Sequence, residues 1–346
     1  MENRSFDHLL GWLPGADGIQ AGLTYFDSLG TPHQTHHLTD SQGLTDFQGC
    51  GFTDPNHSYD GGRVEYNAGA CDGWLRAPGN DLYAIGYYEA ADLPFWSRAA
   101  PEWTVLDRYF APIMGPTGPN RFISQAGQTD RIDGSIAPST LPTIWDRLAD
   151  AGVSGTSYGL LPAYFGDRHP GLIQPPAAFI ADAAAGKLSS VTFVDPVGPS
   201  YHPTEDIRDG EAYVASIYRA VTTSPVWSST LLIITFDEWG GFFDHVVPPP
   251  APVPQVERDA GNVDGLRGFR VPCILISPFA RRHYVSSTVY DHASILRLIE
   301  WRWGLPPLSE RDAQANNLAE ALDFMHPETS APVIDVPAGP FGDSCP

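Results

Sequence analysis

Leu231-Leu232-Ile233-Ile234-Thr235-Phe236 runs straight into Asp237-Glu238-Trp239-Gly240-Gly241-Phe242-Phe243-Asp244-His245. The first six residues are a short, β-rich apolar run, the pattern of a central strand buried on both faces. Two adjacent carboxylates at the end of such a strand repel each other unless a cation or a proton separates them, and a hard divalent metal is the economical answer. The glycine pair permits a sharp turn and a close approach of backbone to a ligand. Asp244-His245 then returns a second polar pair to the same edge. A solvated turn with a capping Asp is the plainer alternative, and the density of Asp, Glu and His beside a buried strand tells against it.

Two further runs have the same character, Cys273 to Ser277 after Pro272 and Val191 to Val194 before Asp195-Pro196. Each delivers polar residues at its carboxyl end. Helical periodicity marks Leu141 to Ala151 with Gly152 as a stop, Gly210 to Thr223, and Ser294 to Trp303. Helices alternating with buried strands predict a parallel or mixed sheet with crossover helices. Residues 30 to 80, rich in Gly, His, Asp and Thr, read as long irregular excursions near a site, and Pro248 to Pro254 as an extended loop. The tail after Met325 lacks pattern. With no internal repeat and no linker, one domain over residues 1–346 is expected.

Composition sets the class. Of 346 residues 42% are hydrophobic, 12% aromatic and 18% charged, which describes a well-cored globular chain. Gly 34 and Pro 33, without a repeat period, imply many ordered loops. Forty-one acidic against 20 basic residues give a net charge of −21, which opposes nucleic acid and anionic membrane surfaces. No nucleic-acid partner is expected, and a phosphate-bearing substrate has to be drawn in locally by a metal or a few Arg. Cys50, Cys71, Cys273 and Cys345 form no C-x-x-C, against a structural zinc site; a loop disulfide between Cys50 and Cys71 is one option, and a reduced protein another. The segment MENRSFDHLL has no basic region followed by an apolar one, and no window approaches 18 continuous apolar residues, so the chain as given is expected to be soluble, without an export signal or an integral membrane segment. Compartment and oligomeric state stay open.

Three more constellations carry chemistry. In Met114-Gly-Pro-Thr-Gly-Pro-Asn-Arg121, Gly/Pro dipeptides on both sides fix an exposed turn that holds one hydroxyl at a helix N-terminus, where anions are favoured. Thr117 is then a candidate nucleophile with Asn120 or Arg121 available to a phosphoryl oxygen, and a plain threonine N-cap is the competing reading. Glu2-Asn3-Arg4-Ser5-Phe6-Asp7-His8 sets carboxylate and amide oxygens side by side, as a hard cation such as Ca²⁺, Mg²⁺ or Mn²⁺ prefers, though a polar terminus has the same composition. His57 in Asp54-Pro-Asn-His57, His202 in Tyr201-His-Pro203 and His292 in Tyr290-Asp-His-Ala-Ser294 join His245 as groups that carry protons or bind phosphate oxygens.

MENRSFDH, DPNH, GPTGPNR, HPTEDIRDGEAYV, TFDEWGGFFDHV, VPCILISPFAR and YDHASILRLIEWR occur in the order seen in the phosphoesterase family of bacterial phospholipases C, plant nonspecific phospholipases C and related acid phosphatases. The resemblance spans Glu2 to about Asp312. It implies an alkaline phosphatase-like α/β fold, a three-layer α/β/α sandwich with a mainly parallel central sheet. It also implies metal-dependent hydrolysis of phosphate esters through a hydroxyl nucleophile and a phospho-enzyme. Carried over, the metal-binding Glu-Asn pair matches Glu2 and Asn3, the strand-end acidic pair Asp237 and Glu238, and the nucleophile Thr117. His57, His202 and His245 match the family's histidines, and Asp291-His292 its late motif. One divalent ion is implied, Ca²⁺, Mg²⁺ or Mn²⁺ with Zn²⁺ as a further option.

On this reading His57 and His202 stabilise phosphoryl oxygens, His245 or His292 protonates the leaving group, and Asn120, Arg121 and Asp291 contact substrate. The substrate is a phospholipid or another phosphate ester. A phosphatase of small monoesters and a non-catalytic binder of phosphorylated ligands are the alternatives. Family members have an apolar strand leading into the Glu-Asn pair, so a first strand is expected to be missing ahead of Met1. Trp239 stands where the family often has His, which predicts one ligand fewer and an aromatic wall.

Overall fold

The computed structural model describes residues 1–38, 47–135, 137–196, 198, 200–341 and 345. Part of the expected 30–80 excursion, residues 39–46, and part of the tail lie outside these. Leu232–Thr235, Cys273–Ile276, Thr104–Leu106 and Tyr284–Ser286 form a four-stranded sheet in that spatial order. The first two pair antiparallel, Ile234 opposite Ile274, and Tyr284–Ser286 runs parallel to Thr104–Leu106. Val191–Val194 and Ile173–Gln174 flank Gly155–Tyr158 in a parallel three-stranded sheet.

Helices cover this framework in two clusters. Ile207–Thr222, capped by the Asp206 carboxylate on Arg208 N, packs Val214, Ile217, Tyr218 and Val221 in one core with Ile234 and Phe236. Phe122, Ala126, Trp145, Leu148, Leu296 and Ile299, from three other helices, close on Val191 in a second. The result is an α/β class with helical layers about β structure. The three predicted helices are present as Ile144–Asp150, Ile207–Thr222 and His292–Trp303. The last begins on Asp291, whose carboxylate accepts from Ala293 N, and stops at Gly304 in the left-handed conformation (φ 66°). Among the described residues no helix is long and apolar enough to cross a membrane.

Two expectations are corrected here. Leu232–Thr235 is not flanked on both sides: it stands at the sheet edge and three of its four residues are half-buried, while the fully buried strand is Cys273–Ile276. An apolar run records that its side chains avoid water, not how many strands sit beside it. Its outer edge and Val194 border a groove of about 930 Å3 floored by side chains such as Val214, Ile217 and Leu298. Met1 continues this edge in parallel register, its ammonium donating to Thr235 O (2.9 Å) and Asp237 N donating to Met1 O (3.0 Å). The second correction is the disulfide, which joins Cys50 to Cys345 across 295 residues and leaves Cys71 free and buried. Nearness in sequence does not set nearness in space.

Helix His292–Trp303 also carries a testable liability. Glu300 is 1% exposed, and burial with Asp312 beside it pushes its carboxyl up to about 9 from the usual 4.5. The folded state therefore binds this proton more tightly than the unfolded chain, and stability falls as pH rises from about 5 to 9. Glu300→Gln is expected to raise the melting midpoint at pH 8–9 and to leave it nearly unchanged at pH 5. An equal shift at both pH values refutes this.

Candidate active site

Phe236 is wholly buried at the end of its strand and delivers Asp237 and Glu238, 7% and 0% exposed, to the carboxyl edge. Gly240 and Gly241 both take positive φ (66° and 71°), and their missing side chains let two other segments close in. A Cβ on Gly240 would lie 2.3 Å from Asn3 O, and one on Gly241 2.7 Å from Pro55 Cβ. The front segment is then fixed by Arg4 N donating to Glu238 O and Asn3 N to Asp237 Oδ1. Asn3 itself is left-handed (φ 59°), a conformation Asn accepts more readily than most residues.

Helix Thr117–Ala126 arrives from the other side. Arg121, one turn after Thr117 and on the same helix face, divides its guanidinium among Asp237 (3.1 Å), Asp195 (2.8 Å) and Glu2 (2.8 Å). Burial works against its charge, and the carboxylates of Asp237, Asp195 and Glu2 outweigh burial and raise its pKa. Burial and the Asp237 charge together push Glu238 well above the ordinary carboxylate range, and Glu2 upward as well. Two buried oxygens, Asn3 Oδ1 and Glu238 Oε1, have no hydrogen-bond partner among the described residues.

His57 completes the group. Its Nδ1–H donates to Pro55 O (2.7 Å), which fixes the tautomer and turns Nε2 toward Asn3 Nδ2 (3.4 Å) and Glu238 Oε1 (3.8 Å). His202 donates from Nδ1 to Pro203 O, and its Nε2 stands 3.9 Å from Asp54 Oδ2, with Glu2 feeling its charge. Left-handed backbone at Tyr201 (φ 77°) and Thr204 (φ 81°) holds this loop in shape. Glu2, Asn3, His57, Arg121, Asp237 and Glu238 are thus brought together, with His202 at the margin and Thr117 at the head of Arg121's helix.

Five expectations are corrected. Asn120 is fully buried and spends its amide on Gly115 O and Pro116 O while accepting from Ile113 N; it braces the turn and does not face substrate. Asp291 caps its helix and pairs with Arg267 at 2.7 Å, so its carboxylate is also structural. His292 is buried between Tyr109 OH (3.0 Å) and Asp237 O (2.8 Å), and burial lowers its pKa, so both ring nitrogens are taken up by protein groups and its Nε2–H steadies the Asp237 backbone. His245 gives Nδ1 to Asp7 (2.5 Å) and Nε2 to Asp17 (3.1 Å). The Asp7, Asp244 and His245 donors lie close enough for one ion, but Arg270 bridges both carboxylates at 2.9 Å and already occupies that place with a positive charge. Finally, Trp239 is wholly buried against Phe269 with its indole N–H on Glu65, so it serves the core as packing.

Asp195 was missed as a site residue. Its signal, a carboxylate directly after the strand Val191–Val194, was the same one that marked Asp237.

The phosphoesterase family model matches residues 1–160 and 163–306. The chain is 32% identical to phospholipase C A of Mycobacterium tuberculosis, over 95% of this chain and 77% of that protein. It is 30% identical to non-specific phospholipase C6 of Arabidopsis thaliana, over 96% and 73%. Among solved structures it is similar to the phosphonate monoester hydrolase of Silicibacter pomeroyi (TM-score 0.38, 13% identity, 62% and 69% covered). It is also similar to an alkaline phosphatase superfamily protein of Vibrio parahaemolyticus (TM-score 0.41, 11% identity, 66% and 65% covered).

Proposed function

Since the chain belongs to the phosphoesterase family and is a phosphoric ester hydrolase, we propose that it is a metal-dependent, phospholipase C-like enzyme with Thr117 as nucleophile. One observation carries the reading: among the described residues Asn3 Oδ1 and Glu238 Oε1 are buried without hydrogen-bond partners, in a cluster whose carboxylates outnumber its cations. A phosphate ester is an anion, and Arg121 is already divided among three carboxylates. This cluster, in a chain of net charge −21, repels phosphate unless a cation reverses the local field. Carboxylate and amide oxygens of Glu2, Asn3, Asp237 and Glu238 suit Ca²⁺, Mg²⁺ or Mn²⁺. When bound, such an ion neutralises phosphoryl oxygen charge and makes a neighbouring hydroxyl more acidic.

The chain's own residues do the rest. Asn120 holds the turn that presents Thr117, and Arg121 anchors that helix to Asp237. Thr117 Oγ1 gives up its proton to solvent and forms its bond to phosphorus as the bond to the leaving alkoxide breaks. The alkoxide takes a proton from His202, whose Nε2 faces Asp54, and His202 regains it from solvent. His57, its ring fixed by Pro55 O, sets Nε2 beside Asn3 and Glu238 at the face proposed to receive the phosphate. Water then attacks the phospho-threonine, which releases the phosphate product and restores the hydroxyl.

Phosphatidylcholine vesicles, a p-nitrophenyl phosphomonoester and a diester, each with and without chelator, test this. Release of phosphocholine that stops on chelation and returns with Mg²⁺, Ca²⁺ or Mn²⁺ is the expected result. Preference for the monoester makes the enzyme a small-molecule phosphatase. Undiminished hydrolysis after exhaustive chelation, with metal analysis showing none bound, overturns the metal dependence.

A further inference from the structure

Helix Tyr59–Tyr66 follows directly on the loop of His57, and one of its residues, Glu65, is 0% exposed. A carboxylate in such a place costs more than an apolar residue of similar size would, so its partners matter. Glu65 Oε2 accepts from Trp239 Nε1 at 2.9 Å, and Glu65 Oε1 accepts from Asn80 Nδ2 at 3.1 Å. Asn80 in turn accepts from Asn56 N at 2.6 Å and donates to Trp74 O at 2.7 Å. Asn56 immediately precedes His57, and Trp239 immediately follows Glu238. One buried carboxylate thus holds both loops, one arm through Asn80 to the His57 loop and the other through Trp239 to the Glu238 loop.

The helix beneath is seated to match. A Cβ on Gly62 would stand 2.6 Å from Met114 and 2.9 Å from the Trp239 ring, so the helix backbone lies directly against that indole. Asn56 Oδ1 also accepts from Ser58, whose own hydroxyl caps the helix at Gly61 N.

We propose that Glu65 is a positioning residue, a buried clamp that sets His57 Nε2 against Glu238 Oε1 and so holds the ion-binding face of the site in register. The inference rests on the metal reading given above. Groups that orient metal ligands in this way typically change metal affinity 10- to 100-fold when removed.

The test is Mn²⁺ binding to the metal-stripped full chain, followed by titration calorimetry and by the paramagnetic resonance signal of free Mn²⁺. Glu65→Gln keeps the volume and one acceptor but offers Asn80 or Trp239 a donor in place of the other; it is expected to weaken Mn²⁺ binding about 10- to 100-fold. Trp239→Phe removes the indole N–H together with one ring of the indole, and is expected to weaken binding in the same direction, with a native far-ultraviolet dichroism spectrum and a cooperative melt as the control for the cavity left beside Gly62. If Glu65→Gln does not fold, Trp239→Phe decides. Folded variants that bind Mn²⁺ within about twofold of wild type overturn the clamp alone. Wild-type protein that takes up no Mn²⁺ overturns the metal reading, and the clamp with it.

Discussion

Thr117→Ala is expected to lose turnover of phosphate esters by on the order of 10³-fold or more, with an unchanged melting midpoint. The sequence left a second reading open, in which Thr117 is a helix N-cap whose loss costs about 1 kcal/mol of stability. The structure tells against the cap. The cap position is Pro116, Thr117 is the first residue inside the helix, and no hydrogen bond ties its hydroxyl to a described residue. Removing that hydroxyl therefore disturbs nothing the fold relies on, and Ala is the better helix former. Thr117→Ser keeps an oxygen on the same carbon and is expected to retain a measurable fraction of the rate. Mass spectrometry of the quenched reaction supplies the second arm, a phosphate adduct on the Gly115 to Arg121 segment. Wild-type turnover in Thr117→Ala sinks the assignment.

Why that hydroxyl was legible and the histidine roles were not has a physical basis. Gly-Pro pairs around Thr117 constrain the backbone locally, so the turn and the helix after it are properties of eight adjacent residues. The acidic pair was legible for the same reason, since a buried strand must end where its polar residues begin. His245 and His292 have comparable local sequences, yet their directions depend on partners far along the chain. Arg270 draws Asp7, Asp244 and His245 into a separate ion-pair network, and Tyr109 with the Asp237 carbonyl occupies His292. Nothing near either histidine announces that. Leu232–Thr235 fails in the same sense, since its composition is that of an interior strand while its place is at an edge beside a groove. The clamp at Glu65 was invisible for a further reason: a lone Glu in YDGGRVEY has the composition of a solvated helix face, and only burial against Trp239 and Asn80 distinguishes it.

Glu238→Gln is expected to reverse the order of stabilities depending on the ion. Without metal, Glu238 is wholly buried, its Oε2 held by Gly240 N at 2.6 Å and its Oε1 without a hydrogen-bond partner among the described residues, and Asp237 beside it repels its charge. Gln keeps the shape and removes that charge, so the metal-free variant is expected to melt at or above the wild-type midpoint. Saturating Mn²⁺ stabilises whichever form binds it by RT ln(1 + [L]/Kd), about 2.7 kcal/mol at a hundredfold excess over Kd. The wild type should gain that increment and the variant little of it, so the two melting curves exchange order on addition of the ion. Turnover should fall by at least 10²-fold in the variant, because the phosphate then meets an under-neutralised site. Asp237→Asn is expected to match it in activity but not in stability, since Asp237 also accepts from Asn3 N, Glu238 N and Arg121 Nε, and its loss leaves that guanidinium short of one partner. A Gln variant that keeps both the wild-type metal shift and the wild-type rate removes Glu238 from the site, and with it the reason for two adjacent acids at the end of this strand.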